Sequence, residues 1–327
     1  MRNDEGMRGS DGKRGKPIDL DVILTCGGRL SGKLSGRGSE NVKALLDFDG
    51  RTLLERALRA VLDLAGLPGA SHHIRAVVAV GPESVDDELK RLCSSMQTNV
   101  PVIFATEGLT VLDNMQNGFN ALSKLDCGGE TDEDSDTANA NGDDIATAST
   151  DSSGVNSTHS DSEIDVRRAL MIVSPDLPFV TADALHGFLK ELPCDAGLSV
   201  PMVTRRAFLA RFPGARNRFV RLAEGAMTMG SVFYISPETL EKNVALFQDA
   251  HNSRKNIGKL FGMIGFTTVV KLIFGRLSIH EVEDRVSALV DSVVFVALDC
   301  DPALAYDIDN EVNFDYALGL ADSSRRS

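Results

Sequence analysis

Thr52-Leu53-Leu54-Glu55-Arg56-Ala57-Leu58-Arg59-Ala60-Val61-Leu62-Asp63-Leu64-Ala65 is the stretch whose period sets the fold. Leu53, Leu54, Ala57, Leu58, Val61, Leu62 and Ala65 recur at helical spacing, and Thr52 with Glu55 three residues on is a capping-box pattern. Short apolar runs stand on either side, Val22–Thr25 before and Ala76–Val80 after. Strand, amphipathic helix and strand make a βαβ unit, whose two strands lie parallel. Farther out, Val102–Ala105, Leu170–Val173 and Leu198–Val203 are more runs of this type. Several are apolar on both faces, as central strands covered by helices are. The chain therefore reads as α/β, with a mostly parallel central sheet and helices on both faces. A later helix begins at Ser236 as N-cap with Pro237 in its first turn. The run from Met263 to Phe274 is too short to span a bilayer and is expected in the core.

The 327 residues are 43% apolar, ample to bury a core, and carry a net charge of −13. That charge is unevenly placed. Residues 127–165 hold eleven of the 47 acids and no Lys or Arg, so the remainder lies within two charges of neutral. The segment is rich in Asp, Ser, Thr, Asn and Gly and reads as a disordered insertion. Residues 1–17, mostly Gly and charge without periodicity, read as a mobile tail. Between and around them, 18–321 is expected to be one domain. A nearly neutral body with no Trp and three Tyr offers neither a strong field for a phosphate backbone nor many stacking platforms, which argues against a nucleic-acid polymer. Cys26, Cys93, Cys127, Cys194 and Cys300 show no metal-ligand spacing and read as reduced thiols. No membrane span or apolar leader is visible, so a cytoplasmic address is the default.

Chemistry is first suggested by Thr25-Cys26-Gly27-Gly28-Arg29-Leu30-Ser31-Gly32-Lys33-Leu34-Ser35-Gly36-Arg37-Gly38, a Gly-rich loop with three cations after the first strand. Such a loop brings backbone N–H groups and positive charge to phosphates. Gly27, Gly32 and Lys33 match a P-loop in part. Leu34 stands where Ser or Thr should hold magnesium, and no helical period follows, so a P-loop is rejected. GxGxxG fails too, because Asn41 follows Gly36-Arg37-Gly38 where the third Gly belongs.

Leu170-Met171-Ile172-Val173-Ser174-Pro175-Asp176-Leu177-Pro178 is a buried strand ending in one Asp between two prolines. Open α/β sheets bind ligands at such strand ends, though Asp176 also fits a simple turn. Near the C-terminus, Tyr306-Asp307-Ile308-Asp309-Asn310-Glu311 sets two Asp before a helix. Asp309 or Asn310 would serve as its N-cap, and only pairing with Asp176 would make Asp309 a metal ligand.

Taken in order, Leu24-Thr25-Cys26-Gly27-Gly28-Arg29, Val42-Lys43-Ala44-Leu45-Leu46, Gly50-Arg51-Thr52-Leu53-Leu54-Glu55, Ser174-Pro175-Asp176-Leu177-Pro178 and Asp307-Ile308-Asp309 resemble the MobA-like NTP-transferase superfamily. The resemblance covers roughly residues 20–320 less the insertion. It implies a three-layer, nucleotide-diphospho-sugar-transferase-like (Rossmann-like) fold of the glycosyltransferase-A type. The implied activity moves a nucleoside monophosphate from an NTP to a small, phosphorylated acceptor and releases pyrophosphate with Mg2+. By the same resemblance, Gly27, Gly28 and Arg29 line the nucleotide, and Lys43, with Arg29, neutralises the phosphates. Asp176 and Asp309 hold the metal, and Asn114 lies near the nucleobase. Thr228-Met229-Gly230-Ser231-Val232-Phe233 resembles the small-residue turn near the acceptor, with Ser231 where Asn is common. The expected partners are an NTP and a small-molecule acceptor, with no membrane; assembly into a homo-oligomer stays open. Two other readings share the architecture: a non-catalytic nucleotide-binding protein, and a glycosyltransferase using a sugar nucleotide, which ordinarily holds its metal through a DxD pair that Ser174-Pro175-Asp176 does not supply.

Overall fold

Val22, Ile23 and Leu24 have no exposed surface, and the strand that contains them anchors the sheet. The computed structural model describes residues 18–35, 41–68, 72–125, 167–253 and 266–326; the expected tail at 1–17 and insertion at 127–165 lie outside these.

The strands are β1 (Ile18–Thr25), β2 (Asp47–Phe48), β3 (Arg51–Thr52), β4 (His72–Gly81), β5 (Val102–Thr106), β6 (Arg167–Val173), β7 (Leu198–Thr204), β8 (Val220–Leu222), β9 (Gly225–Met229), β10 (Val232–Ile235) and β11 (Val294–Ala297). The helices are α1 (Leu53–Ala65), α2 (Glu83–Ser95), α3 (Val111–Lys124), α4 (Ala182–Lys190), α5 (Arg205–Arg211), α6 (Pro237–Ser253), α7 (Phe266–Ile273), α8 (Ile279–Val290) and α9 (Glu311–Arg326). The main sheet runs β5-β4-β1-β6-β10-β7-β9-β8, with β11 beside β7. β5, β4, β1 and β6 are mutually parallel, while β10 runs against both β6 and β7.

Strand alternation sorts the core into two layers. Leu20, Val22 and Leu24 face one layer with α1, α2 and α4. Ile23, Val78, Val80, Leu170 and Ile172 face the other, with Leu122 of α3 and Leu240 of α6. The chain is thus an α/β protein with a large, mostly parallel central sheet and helices on both faces. Each of the five expected strands is present. β5 is an edge strand and only half buried, because it has a neighbour on one side alone.

Thr52 caps α1, its Oγ1 accepting from the Glu55 N–H at 3.1 Å. The Glu55 carboxylate turns instead to Arg59, at 2.9 Å, so the expected reciprocal half of the box is replaced by an i,i+4 ion pair. Leu64 rather than Ala65 is buried, because the helical stripe runs 57, 60, 61, 64 at its end. Ser236 caps α6 as expected, accepting from Thr239 N–H at 3.2 Å. The expectation that the run to Phe274 is core is corrected at its described end: Ile273 and Phe274 are 72% and 71% exposed. Ile273 is the last residue of a short α7 and Phe274 follows it, on a stretch whose Lys271 and Leu272 are exposed as well. Among the described residues no helix is long and apolar enough to cross a membrane. Cys26, Cys93, Cys194 and Cys300 are free thiols; Cys127 lies outside the described residues.

This topology brings the carboxyl ends of β1, β4, β5 and β6 and the start of β10 to one edge, where an open α/β sheet takes its ligands.

Candidate active site

β1 ends at Thr25, and the chain turns through Gly27 and Gly28 and returns alongside itself. Lys43 N–H donates to Gly28 O at 2.8 Å and Leu30 N–H to Asn41 O at 2.8 Å. Gly32–Leu34 is a single 3₁₀ turn rather than the helix a P-loop needs, and Lys33 points away to Glu311 at 3.3 Å. Residues 36–40 lie outside the described residues. The return strand sets Lys43 beside the Asp176 segment. Its ammonium lies 2.9 Å from Asp176 Oδ2 and 3.4 Å from Asp309 Oδ1.

Asp176 follows β6 directly. Ser174 Oγ donates to its Oδ1 at 2.5 Å, and its backbone carbonyl accepts from Ile308 N–H at 3.0 Å. That one backbone bond brings the two acidic segments together. The carboxylates of Asp176, Asp307 and Asp309 offer oxygens all within 4.8 Å of one another. Asp176 caps no helix, since Thr181 caps α4. Asn310 caps α9, accepting from Asn313 N–H at 3.1 Å, which leaves Asp309 for the cluster. Asp307 is the member that the resemblance did not single out. Its signal was the alternating Asp307-Ile308-Asp309 spacing, with buried Ile308 between two carboxylates on one side.

Burial, then the carboxylates of Asp309 and Asp176, push the Asp307 carboxyl up to about 6 despite the nearby Lys43. Burial alone would lower the Lys43 ammonium. The Asp176 and Asp309 carboxylates outweigh it and hold that ammonium above its ordinary value. Crowded oxygen donors with one buried cation among them suit a hard divalent ion, which takes carboxylate and phosphate oxygens.

Two cavities flank this cluster. The first, of about 590 Å³, is lined by Gly27, Gly28, Arg29, Glu107, Asn114 and Ser174, with Ser231 and Phe233 from the start of β10. A Cβ on Gly27 would stand 2.7 Å from Glu107 Oε2 and 2.8 Å from Asn114 Nδ2, so any side chain here must push one or both of these groups aside. Asn114 is buried near the start of α3, where Thr110 and Asp113 form a capping box, and its Oδ1 accepts from Gly108 N–H at 2.7 Å. Arg29 is paired with Glu107, Nη1 lying 3.2 Å from Oε2, and also donates to Gly27 O at 2.7 Å. Glu107, at the end of β5, was not anticipated; nothing in its local sequence marks it, since only sheet order brings it to the loop.

The second cavity, of about 710 Å³, has Asp307 and Asp309 in its wall, facing the segment from Arg216 to Val220 and Thr228–Met229 of β9. The Gly230-Ser231 turn between β9 and β10 is stitched down on both sides. Gly230 N–H donates to Pro201 O and Ser231 N–H to Leu304 O, each at 2.8 Å, and a Gly230 Cβ would lie 2.7 Å from Leu304 O. Ser231 itself borders the first cavity, whereas Thr228 and Met229 of the same motif border the second.

Gly27, Gly28, Arg29 and Asn114 thus share one cavity, and Lys43, Asp176 and Asp309 meet beside it. No protein-family model and no curated protein sequence matches the chain. Among solved structures, a hypothetical transferase from Thermus thermophilus superposes with a TM-score of 0.63 at 23% identity, over 91% of this chain and 99% of that one. A 4-diphosphocytidyl-2C-methyl-D-erythritol synthase from Anaerococcus prevotii aligns over 94% and 99% of the two chains at 10% identity, with a TM-score of 0.46. The first of these shows that the chain shares the fold of the Thermus protein.

Proposed function

We propose that the protein is a magnesium-dependent nucleotidyltransferase of the MobA-like kind, moving a nucleoside monophosphate from an NTP to a small acceptor and releasing pyrophosphate. The observation that carries this reading is the carboxylate cluster: Asp307 and Asp309 line one cavity, and Ser174, bonded to Asp176, lines another that the glycine loop borders. One cavity for each of two substrates, with the acids reaching both, is what a transfer from one to the other requires.

Gly27 and Gly28 expose backbone where side chains would block a nucleotide, and Asn114 keeps its Nδ2 to offer there while Oδ1 is held by Gly108. Lys43 places its ammonium where negative charge gathers, against Asp176 and Asp309 now and against phosphate oxygens when an NTP enters. Arg29 exchanges Glu107 for a phosphate oxygen, an anion for an anion. Asp176, Asp307 and Asp309 would hold the magnesium ion, and that ion supplies positive charge to the phosphates being separated. The soluble-enzyme reading of the chain, with a cytoplasmic address, belongs to this proposal.

Sugar-nucleotide-dependent glycosyl transfer is favoured by one observation, since Asp307-Ile308-Asp309 supplies at the cluster the spaced pair that Ser174-Pro175-Asp176 lacks. One assay separates the two. Wild type and Asp176→Asn are incubated, with and without magnesium, with each NTP and, in parallel, with a panel of sugar nucleotides, each alongside a mixture of phosphorylated metabolites. Pyrophosphate that depends on metal and on Asp176 supports nucleotidyl transfer; sugar-nucleotide cleavage without pyrophosphate from any NTP supports glycosyl transfer instead.

A further inference from the structure

We infer that the end of α7 docks on an anionic lipid bilayer, Leu272, Ile273 and Phe274 entering the headgroup boundary while Arg221 and Arg276 meet the acidic headgroups. Docking of this kind lies beyond the reaction and does not depend on it. It departs from the expectation of no membrane, which rests on the lack of a spanning run; lying on a surface needs none.

The apolar tip is closed and anchored. Phe274 N–H donates to Val270 O at 3.1 Å, Gly275 N–H to Leu272 O at 3.0 Å and Arg276 N–H to Lys271 O at 2.7 Å, with Gly275 at φ +61°. That is a Schellman closure, and its left-handed residue is a glycine. Just beyond it, Ala223 N–H donates to Leu277 O and Ile279 N–H to Glu224 Oε1, each at 2.9 Å. Leu277 and Ile279 share a buried cluster with Leu222 and Met227. The β8–β9 hairpin therefore holds the tip, and its three apolar residues are exposed at a fixed place.

The geometry favours lipid over a protein groove. Successive residues leave a helix about 100° apart, so Leu272, Ile273 and Phe274 together face around most of the tip. A groove on a protein covers one stripe of a helix, whereas a fluid acyl boundary closes round all three. Charge points the same way. Residues 250–280 hold five Lys or Arg and no Asp or Glu, in a chain of net charge −13. Cations grouped with apolar residues inside an acidic protein suit an anionic surface. Arg276 follows the closure directly, and Arg221 of β8 lies beside it, its Cγ 2.9 Å from where a Gly275 Cβ would stand. Both are exposed, and among the described residues neither has an ion-pair partner, whereas Lys271 is paired with Glu281. The acids Glu281, Glu283 and Asp284 come only after the buried Ile279, on α8.

The chain has no Trp, so Phe274→Trp places a single reporter at the tip. Flotation of the full chain is measured with vesicles of phosphatidylcholine alone and of phosphatidylcholine and phosphatidylglycerol at about 7:3, for wild type, I273S/F274S and R221Q/R276Q, with melting curves to show that each is folded. Wild type should bind the anionic vesicles at least about tenfold tighter than the neutral ones and lose that margin in high salt. Each double variant should weaken binding to the anionic vesicles at least about tenfold. The Phe274→Trp emission should move to the blue when those vesicles are added. Absence of flotation for folded wild type, or flotation unchanged in I273S/F274S, overturns the docking. So does a Phe274→Trp emission already blue without vesicles, which assigns the tip to a second copy if it depends on protein concentration and to cover by the chain itself if it does not.

Discussion

Lys43 is enclosed by the acids it neutralises, with its side chain only 16% exposed, so its ion pairs are not ordinary surface contacts of small worth. Replacing it with Ala leaves three carboxylates facing one another. Two opposite responses are expected: magnesium should raise the melting temperature of Lys43→Ala more than that of wild type, while pyrophosphate release falls by about 10²–10³-fold. Thermal melts across a magnesium titration, with a pyrophosphate assay, read both. Asp176→Asn should remove most of the magnesium-dependent stabilisation in the same melts. At the glycine loop, Gly27→Ala drives a methyl group against Glu107 and Asn114, so NTP affinity measured by equilibrium dialysis should drop with the fold retained. These residue positions were legible unevenly. Gly27, Gly28 and Asp176 announce themselves by composition and by strand-end position. Asp307 and Glu107 do not, because their roles exist only once Ile308 is bonded to Asp176 and β5 is placed beside β4.

Among elements, the βαβ start was readable because period and cap agree. Thr52 Oγ1 both accepts from Glu55 N–H and donates to Glu88 Oε1 at 2.9 Å, tying α1 to α2. Thr52→Ala should cost about 1–2 kcal/mol in urea unfolding. β1 carries a feature that an apolar pattern does not foresee. Asp21 is 2% exposed and makes a two-pronged pair with Arg75 on β4, at 2.7 and 2.6 Å. Asp21→Ala removes the two-pronged carboxylate partner of Arg75 and should destabilise by about 3–5 kcal/mol in the same experiment. The β8–β9 hairpin and β10 escaped reading for a physical reason: they are three to five residues long, too short for a period of two to stand out. The four-residue β11 is equally short, and it gains its place only by pairing with β7.

Across the whole molecule, the site depends on pairs far apart in sequence, Lys43 and Asp176 being separated by 133 residues, and no local pattern encodes that meeting. The order of motifs did suggest it, and the sheet order supplies the reason. One pH response also belongs to the molecule as a whole. Burial at the start of β4, and then the nearby His186, hold His72 below its ordinary value of 6.5. The unfolded chain therefore binds a proton near that value that the folded chain does not, so stability is full above it and is lost as pH falls toward the lowered folded value. His72→Gln should flatten that part of the urea-stability profile, and an unchanged slope would assign it elsewhere. The central claim, transfer of a nucleoside monophosphate at the Asp176–Asp307–Asp309 cluster, is tested most directly by following NTP labelled separately on the α- and γ-phosphorus, with magnesium and an acceptor mixture. The account predicts α-label in an acceptor product and γ-label in pyrophosphate, both lost in Asp176→Asn. Transfer of γ-label to the acceptor, or label release untouched by Asp176→Asn, would contradict it.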